Sequence, residues 1–343
     1  MKIAVRVTNW IGDVIMNLPA LEALRAAYPR AEIVAIARPW VAQLLQFRPD
    51  LIDRCLSFDD QRSHRGVSGF WKFCRQLRKE KFALGVVFTK HLKGALMMAA
   101  AGVPQRVGIL TPETRWFLKG GVAKSRLPKS GRHQSENYLD VLRHGLGVAA
   151  PKASPRLMVD AQLLQNVFKK LLPTAPRPLL GIHAGAAYGT AKRWSAEGYA
   201  EVITQFLQTT EGSVVLLGVT AEADVNRVIV DTVQSSRLFN LCGNTTLQES
   251  LVLIGGCDVF LSNDSGLMHA AAAFQIPQVA IYGPTDVHAT FPLSQVAKII
   301  SHPVACSPCF KRHCPIGHEC MKGVGGPEVW STVQSLLPEL PKS

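Results

Sequence analysis

Short apolar runs that alternate with helical patterns constrain this chain more than any other feature of its sequence. The runs lie at residues 3–7, 33–37 and 84–88 in the first half, and at residues 179–183, 214–218, 259–262 and 279–282 in the second half. Runs of this length, separated by segments with the three-to-four-residue spacing of an amphipathic helix, are typical of buried parallel strands in βαβ units. The sequence therefore predicts an α/β fold built on parallel sheets.

Two breaks divide the pattern. Gly, Ala, Pro and Ser cluster at residues 147–156, and three prolines lie within residues 173–178, after which the pattern restarts. A chain of 343 residues is also longer than one hydrophobic core usually serves. We therefore expect two Rossmann-like domains that face each other across a cleft. The expected boundaries are a first domain at 1–155, a linker region at 156–177, a second domain at 178–326 and a C-terminal helix at 327–343.

The chain is strongly basic, with 38 Lys and Arg against 25 Asp and Glu and a net charge of +13. Two segments concentrate this excess, because residues 61–81 and residues 106–132 each hold seven Lys or Arg against one Glu. Aromatic residues are interleaved in both segments. Such an excess suits an acidic partner. We interpret the two segments as an anion-binding or membrane-adjacent face, with an ordinary solvated surface as the alternative.

The sequence shows no sign of a signal peptide or of a membrane span. The N-terminal apolar run is interrupted at Arg6, and no apolar run approaches the roughly 18 residues of a spanning helix. We expect a cytoplasmic protein whose eight cysteines are thiols, ligands or core residues. Neither a Walker loop nor a nucleic-acid-binding fingerprint is present, so nucleic acid is not an expected partner.

One segment of the second half, residues 261–273, combines a strand end with a helix start. The apolar run is followed by Asp264, Ser265 and Gly266, and an alanine-rich helical pattern containing His269 begins at once. Backbone N–H groups at a helix start lie at the positive end of the helix dipole and suit a diphosphate, which a glycine allows to approach closely. The alternative is an ordinary N-cap formed by the Asp-Ser pair.

A loop of small residues follows the predicted strand at 179–183. It runs from Gly185 to Thr190 and delivers Lys192 and Arg193 just before the next helix. Small residues leave room for a ligand, and the lysine offers a compact charge for a phosphate. A solvated Lys-Arg pair is the alternative, although loops beyond the carboxyl ends of parallel strands often carry function.

Two weaker signals concern nucleotides. Gly218 and Glu222 repeat the strand-then-loop arrangement, and a carboxylate such as that of Glu222 can accept hydrogen bonds from a ribose. Residues 145–150 fit the G-x-G-x-x-A fingerprint of dinucleotide-binding proteins, but they follow a helical pattern and not a strand. A nucleotide-dependent oxidoreductase therefore stays open as a function, as does a non-catalytic nucleotide-binding protein, for which the net charge of +13 is the only support.

The turn after the first predicted strand ends in Asp13. Open parallel sheets place functional groups just beyond the carboxyl ends of their strands, and a carboxylate there can accept a hydroxyl proton as a general base. A helix N-cap is the alternative role. The helical pattern that follows contains Pro19, which predicts a kink or a later helix start.

Four cysteines lie within fifteen residues near the C-terminus, in a stretch called here the cysteine segment (residues 306–320). They are Cys306, Cys309, Cys314 and Cys320. Soft ligands at close spacing suit zinc or an iron–sulfur cluster. The spacing departs from paired C-x2-C motifs, however, and neighbouring prolines indicate a surface loop. We therefore favour a structural or redox-labile loop, with a metal site as the alternative.

Four motifs occur in an order and spacing that resemble glycosyltransferase family 9, the bacterial ADP-heptose:lipopolysaccharide heptosyltransferases. They are Asn-Trp-Ile-Gly-Asp at residues 9–13, His-Ala-Gly…Ala-Lys-Arg-Trp at 183–194, Asn-Asp-Ser-Gly-Leu-Met-His at 263–269 and Tyr-Gly-Pro-Thr at 282–285. The similarity runs over nearly the whole chain. The second and third motifs look most like heptosyltransferase II, and a similar cysteine loop occurs in part of the family.

This resemblance implies a GT-B fold and an inverting, metal-independent transferase that requires no cofactor. The donor would be ADP-L-glycero-D-manno-heptose, bound by the C-terminal domain. The acceptor, bound by the N-terminal domain, would be an anionic lipopolysaccharide precursor of the heptosyl-Kdo-lipid A type. Such an enzyme would work in the cytoplasm of a Gram-negative bacterium, peripheral to the inner membrane.

The resemblance also implies residue roles. Asp13 resembles the general base, and Lys192 resembles the cation beside the leaving diphosphate. The donor-binding residues would be Gly185, Thr190, Gly218, Glu222, Thr245, Asp264, Ser265, Gly266 and His269. Among these, Glu222 matches the ribose contact, and Thr245 lies where the backbone binds adenine. On the acceptor side we expect Lys90, Lys93 and Arg106, on position and charge alone.

Overall fold

The computed structural model describes residues 1–127 and 131–338. The chain forms two compact units, Met1–Pro155 and Arg156–Ser343, and each contains one six-stranded sheet. Lys129 of the second basic segment and residues 339–343 of the expected C-terminal helix lie outside the described residues.

The N-terminal unit is a parallel sheet in the spatial order β3-β2-β1-β4-β5-β6. Its strands are β1 (Lys2–Arg6), β2 (Glu32–Ala37), β3 (Arg54–Ser57), β4 (Leu84–Val87), β5 (Gln105–Leu110) and β6 (Gly120–Ala123). Its helices are α1 (Ile11–Ala27), α2 (Pro39–Leu45), α3 (Gly66–Lys79), α4 (Leu92–Ala100) and α5 (Ser135–Leu146). The central strands β1, β2 and β4 are almost wholly buried, as expected when helices cover both faces of a parallel sheet.

The C-terminal unit repeats this plan in the order β12-β11-β10-β7-β8-β9. Its strands are β7 (Leu179–His183), β8 (Ser213–Leu216), β9 (Leu238–Asn240), β10 (Val259–Asn263), β11 (Gln278–Tyr282) and β12 (Ala297–Ser301). Its helices are α6 (Ala161–Leu171), α7 (Ala196–Thr209), α8 (Ala223–Val233), α9 (Leu247–Gly255), α10 (Gly266–Ala273), α11 (Val287–Thr290), α12 (Glu319–Lys322) and α13 (Gly326–Gln334).

Each sheet reverses its winding beside its first strand. β1 pairs with both β2 and β4 in the first unit, and β7 pairs with both β8 and β10 in the second. Counted from the first strand of each unit, both sheets have the order 3-2-1-4-5-6 of the Rossmann fold. The prediction of an α/β fold with two Rossmann-like domains is therefore confirmed. Open sheets of this kind bind ligands outside the carboxyl ends of the strands at the reversal, which marks one candidate site in each unit.

Helix α1 differs from the sequence-based expectation. It begins at Ile11 and runs through Pro19 without a break, so the later start expected from the proline is wrong. Most residues of this helix are buried. Packing of such a face outweighs the single backbone hydrogen bond that proline removes.

Helices also lie in the expected linker region and near the C-terminus. The expected linker region at 156–177 contains α6, which packs against α9. The C-terminal helix α13 ends at Gln334 and is shorter than expected. Turn hydrogen bonds replace the helix there, and Pro338 disfavours a helical conformation in the residue before it. Among the described residues, no helix is both long and apolar enough to span a bilayer.

Candidate functional site

Lys192 and Asp264 form an ion pair at the carboxyl edge of the C-terminal sheet. Lys192 lies in a short 3-10 turn after β7, and Asp264 directly follows β10. Lys192 Nζ donates to Asp264 Oδ2 at 2.5 Å, and Thr285 Oγ1, which follows β11, donates to the same oxygen at 2.6 Å. The two charged side chains are 14% and 5% exposed, so the alternative of a solvated lysine is wrong for Lys192.

Asn263 ties the ends of β10 and β7 together. Its buried side chain accepts hydrogen bonds from the Trp194 backbone N–H at 2.9 Å and the Tyr199 hydroxyl at 3.0 Å. It donates to the carbonyls of Ala184 at 2.8 Å and Gly185 at 3.1 Å. These four bonds use the full capacity of the amide. Asn263 therefore positions the loop after β7 and has no polar group left for a ligand.

Ser265 is the N-cap of α10. Its Oγ accepts from the Met268 N–H at 3.3 Å and lies 3.1 Å from His183 Nδ1. The capping alternative is thus confirmed for Ser265 but not for Asp264, whose carboxylate bonds to Lys192 and Thr285. Four N–H groups lack intrahelical partners at a helix start, and a capping side chain accepts a hydrogen bond from only one of them. It is therefore compatible with anion binding at this end of α10.

Glu222 is buried against His183. Its Oε2 accepts from the Val219 N–H at 3.0 Å and lies 3.2 Å from His183 Nε2. Burial raises the pKa of this carboxyl, but His183, the Val219 N–H and the charge of Arg193 together outweigh burial, and the net effect lowers the pKa below its ordinary value. Glu222 therefore stays ionised at neutral pH.

Gly185 and Gly218 make room for this carboxylate. A β-carbon at Gly185 would lie 2.0 Å from Glu222 Cδ, and one at Gly218 would lie 2.9 Å from Glu222 Oε2. We expected the small residues to leave space for a ligand, yet part of that space is filled by Glu222. The contacts of these three residues with a donor stay predictions.

Thr245 and His269 lie at helix starts. Thr245 precedes Thr246, the N-cap of α9, and its hydroxyl is 2.7 Å from Ser250 Oγ. His269 is buried one turn from the start of α10. Their expected roles toward a nucleotide stay predictions.

The cysteine segment packs against the turn that carries Lys192. The Ala191 N–H donates to the Arg312 carbonyl at 2.9 Å, and the Ala191 carbonyl lies 2.7 Å from His318 Nε2. Thr190 Oγ1 lies 2.9 Å from His313 Nδ1. This segment therefore holds the predicted donor loop in place, a contact that the sequence did not indicate.

The four cysteines of this segment are free thiols. Cys320 is buried, and burial together with the thiols of Cys306, Cys309 and Cys314 raises its pKa. No three His, Cys, Asp or Glu side chains within residues 1–127 and 131–338 are arranged as ligands of one metal ion. The contacts of the segment suit the structural role that we favoured, and metal binding stays the alternative.

Asp13 lies in the first turn of α1, at the carboxyl edge of the N-terminal sheet. Trp10 occupies the N-cap position, so the alternative of Asp13 as the N-cap is wrong. Asp13 Oδ1 accepts from Gln134 Nε2 at 3.0 Å, and Gln134 Nε2 also donates to the Tyr138 hydroxyl at 2.7 Å. The positive end of the helix dipole favours the ionised carboxylate, which is the form that a general base requires.

The three expected acceptor residues are not brought together. Lys90 and Lys93 follow the carboxyl end of β4. Arg106 lies near the amino end of β5, paired in register with Gly85, and therefore at the opposite edge of the sheet. Its guanidinium donates to two nearby carbonyls, that of Phe117 at 2.6 Å and that of Val103, which ties a loop to the sheet.

Sequence reasoning did not select four residues that the structure places at these sites. His183, Asn263 and Thr285 lie within quoted motifs, and polar side chains at the ends of buried strands were the signal that could have found them. Gln134 has no comparable signal, because its contact with Asp13 spans 121 residues of sequence.

Comparisons with known proteins show which family the chain resembles. The family model described as glycosyltransferase family 9 (heptosyltransferase) matches residues 70–319. Lipopolysaccharide heptosyltransferase 2 of Escherichia coli (strain K12) is 31% identical over 309 residues, which cover 88% of each chain.

Solved structures show the same fold. The structure of E. coli ADP-heptose lps heptosyltransferase II has a TM-score of 0.82 and 27% identity, and the match covers 98% of each chain. The E. coli heptosyltransferase WaaC with ADP has a TM-score of 0.74 at 17% identity and covers 98% of this chain and 100% of that one. The predicted GT-B class is confirmed by these neighbours. The family model matches well over half of the length of this chain. The chain therefore belongs to glycosyltransferase family 9, the heptosyltransferases.

Proposed function

We propose that this transferase moves L-glycero-D-manno-heptose from ADP-heptose to a heptosyl-Kdo-lipid A type acceptor of the lipopolysaccharide inner core, with inversion at the anomeric carbon. The observation that carries the proposal is the buried Lys192–Asp264 pair beside the start of α10. Family membership and the resemblance to lipopolysaccharide heptosyltransferase 2 of E. coli support this reaction.

The donor diphosphate fits the edge formed by Lys192 and the start of α10. A lysine supplies a compact positive charge, and a helix start supplies N–H donors and the positive end of a dipole. Glu222 would accept hydrogen bonds from the ribose hydroxyls. It would use the carboxylate oxygen that does not contact His183. The remaining proposed donor contacts are Gly185, Thr190, Gly218, Thr245, Asp264, Ser265, Gly266 and His269. The structure of WaaC with ADP is consistent with an ADP-linked donor.

Lys192 would also stabilise the leaving group. Negative charge grows on the ADP moiety as its bond to the sugar breaks, and fixed positive groups at that point lower the barrier. Asp264 and Thr285 already orient the ammonium, so little reorganisation is needed at the moment of reaction. We propose that these groups serve in place of a divalent cation.

Asp13 is the proposed general base. It would take the proton of the acceptor hydroxyl while that oxygen attacks the anomeric carbon on the face opposite the departing diphosphate, which inverts the centre. Gln134 holds the carboxylate in a fixed orientation through its 3.0 Å hydrogen bond.

Exposed tryptophans in the two basic segments support contact with an anionic membrane surface. Trp71 on α3 is 45% exposed and Trp116 is 75% exposed, whereas α3 buries Phe70 and Phe73 on its other face. Tryptophan beside Lys and Arg favours the headgroup region of a bilayer. We propose peripheral association with the cytoplasmic face of the inner membrane, where a lipid-linked acceptor would be available.

Ligand-dependent thermal shifts separate this function from its alternatives. ADP and ADP-heptose should raise the Tm saturably, by the equivalent of about 2.7 kcal/mol at a hundredfold excess over Kd. NAD and a mixed oligonucleotide should have much smaller effects. Stabilisation by NAD without ADP would favour an oxidoreductase, and stabilisation by the oligonucleotide alone would favour a nucleic-acid binder.

A further inference from the structure

An open cavity of about 160 Å³ lies at the reversal point of the N-terminal sheet. Its lining comes from the end of β1, the turn after β1, the loops after β3 and β4, and the start of α4. The lining residues are Arg6, Asn9, Asp60, Thr89, His91, Lys93 and Gly94. Sites for whole small molecules usually measure about 300–1,000 Å³, so this cavity suits a single functional group. The proposed mechanism makes no use of Arg6, Asn9 or Thr89.

Arg6 brings a buried positive charge to this cavity. It is 5% exposed, and its guanidinium donates to the carbonyls of Val7 at 2.6 Å and Ile36 at 3.1 Å and to Asn9 Oδ1 at 2.7 Å. Within residues 1–127 and 131–338, no carboxylate lies at ion-pair distance from it. Burial and the charge of Arg38 lower its pKa to about 10. Burying a cation without a counter-charge costs free energy, so this environment favours the binding of an anion beside Arg6.

Asp60 does not neutralise the charge of Arg6, because the Asp60 carboxylate already pairs with two other cations, Arg38 and Lys93. Arg38 Nη2 lies 2.9 Å from Asp60 Oδ1, and Lys93 Nζ lies 3.0 Å from Asp60 Oδ2. The buried Nε of Arg38 has no hydrogen-bond partner among the described residues. Arg6, Lys93 and Asp60 line the cavity, whereas Arg38 reaches Asp60 from outside the lining, so the lining carries one positive charge in excess for an incoming ligand.

We propose that this cavity is an oxyanion subsite for a carboxylate or a phosphate of the acceptor. The identity of the ligand rests on the proposed function, since Kdo is a sugar acid and a lipid-linked acceptor carries phosphate. Arg6, Lys93 and the Thr89 hydroxyl are the donors, and charge-assisted hydrogen bonds of this kind are strong. Asn9 lies in the turn between β1 and α1, and Asp13 lies in the first turn of α1, so the subsite anchors the acceptor near the proposed base. Asp60 competes with the bound anion and thereby lowers its affinity.

Equilibrium binding of inorganic phosphate and of Kdo monosaccharide to the full chain, at constant ionic strength, tests the subsite directly. Lys93→Gln should weaken binding about tenfold, the loss expected for one charge-assisted hydrogen bond. Asp60→Asn should tighten binding, because it removes the competing carboxylate. Arg30→Gln, which removes an exposed charge from the same unit, is the control and should change nothing.

The two probes identify the source of the oxyanion. Binding of Kdo alone indicates a sugar-acid carboxylate, and binding of phosphate alone indicates a phosphate ester. Either pattern supports the subsite when Lys93→Gln and Asp60→Asn shift affinity in opposite directions. Absence of binding in the parent protein, or weaker binding in Asp60→Asn, overturns it.

Transfer kinetics keep the subsite apart from the proposed function. Lys93→Gln should raise the KM for acceptor and leave the KM for ADP-heptose unchanged, whereas Asp60→Asn should lower the acceptor KM. If the parent transfers heptose but both variants behave like Arg30→Gln, the subsite is wrong and the function stands. If phosphate or Kdo binding follows the expected pattern but no heptose is transferred, the subsite stands and the proposed function is wrong.

Discussion

Lys192 Nζ lies 2.5 Å from Asp264 Oδ2, although 72 residues separate the two in the sequence. The contact follows from the strand order, because β7 and β10 are neighbours and their carboxyl ends meet at one edge. Thr285, after β11, adds a third polar group to that edge. The pair gives the C-terminal unit a fixed, nearly buried cation beside a helix start, an arrangement that favours the binding of an anion such as a diphosphate.

Lys192→Ala should reduce both stability and turnover. Removing one partner of a buried ion pair costs about 3–5 kcal/mol of unfolding free energy, because Asp264 is left charged and buried. Losing a charge-assisted contact should weaken ADP-heptose binding by about 1.5–3 kcal/mol. Urea denaturation and steady-state kinetics measure the two effects.

The double variant Lys192→Ala/Asp264→Asn separates these effects. It should regain most of the lost stability and none of the lost turnover. Lys170→Ala, which breaks the exposed pair with Glu249, is the matched control and should be nearly silent. Recovery of turnover in the double variant would mean that Lys192 serves only to neutralise Asp264.

Asp13→Asn should lower turnover by about 10²–10⁴-fold, because the amide cannot take a proton. ADP binding and Tm should barely move, since the amide oxygen can still accept the hydrogen bond from Gln134. Asp50→Asn, which weakens the ion pair between the half-exposed Asp50 and the buried Arg48, controls for loss of a carboxylate in the same unit. Near-normal turnover in Asp13→Asn would remove Asp13 as the base.

Glu222 should make stability depend on pH in the acid range. Its folded pKa is below the ordinary value of 4.5, so its ionised form stabilises the fold above that pH, and this stabilisation is lost as the pH falls through the folded pKa. Glu222→Gln should therefore cost about 1.5–3 kcal/mol at neutral pH.

The cost of Glu222→Gln should shrink as the pH falls below 4.5. Urea denaturation of the parent and the variant between neutral and acid pH measures the difference. Asp224→Asn serves as the control, because the Asp224 side chain is 93% exposed. A difference that does not change with pH would contradict the claim that the ionised Glu222 carboxylate stabilises the fold.

Replacing all four cysteines of the cysteine segment with serine should leave heptose transfer measurable. The expected loss of turnover is smaller than about tenfold, or about 1.4 kcal/mol of transition-state stabilisation. Stability should fall, because Cys320 is buried, and a triple variant that keeps Cys320 should be closer to the parent. A folded quadruple variant without activity, together with stoichiometric metal in the parent, would show that the segment is a functional metal site.

The central strands were predictable because they are buried on both faces and read as continuous apolar runs. β1, β2, β4, β7, β8, β10 and β11 all follow such runs. The strands β3, β5, β6, β9 and β12 were not predicted, since they are short or partly exposed and their apolar pattern is interrupted. Sequence periodicity detects burial, and strands with a solvated side lose that signal.

The candidate site was predictable where function depends on a position just after a strand. Lys192, Asp264 and Asp13 were selected because each follows a strand, and the structure shows a contact between Lys192 and Asp264 that the sequence did not predict. Their roles toward a ligand stay predictions. Their partners were not accessible, because contacts such as Gln134–Asp13 and Ala191–His318 join residues more than 120 positions apart. Arg106 shows the opposite error, since charge placed it with Lys90 and Lys93 although the sheet puts it at the other edge.

A transfer assay with ADP-heptose and a panel of defined core acceptors tests the central claim most directly. The account predicts a heptosylated product with inverted anomeric configuration from a heptosyl-Kdo-lipid A type acceptor, formed in the presence of excess chelator. It also predicts little product when Lys192→Ala or Asp13→Asn replaces the parent. Failure of the folded parent to transfer heptose to any acceptor of the panel, or equal product from Asp13→Asn, would contradict it.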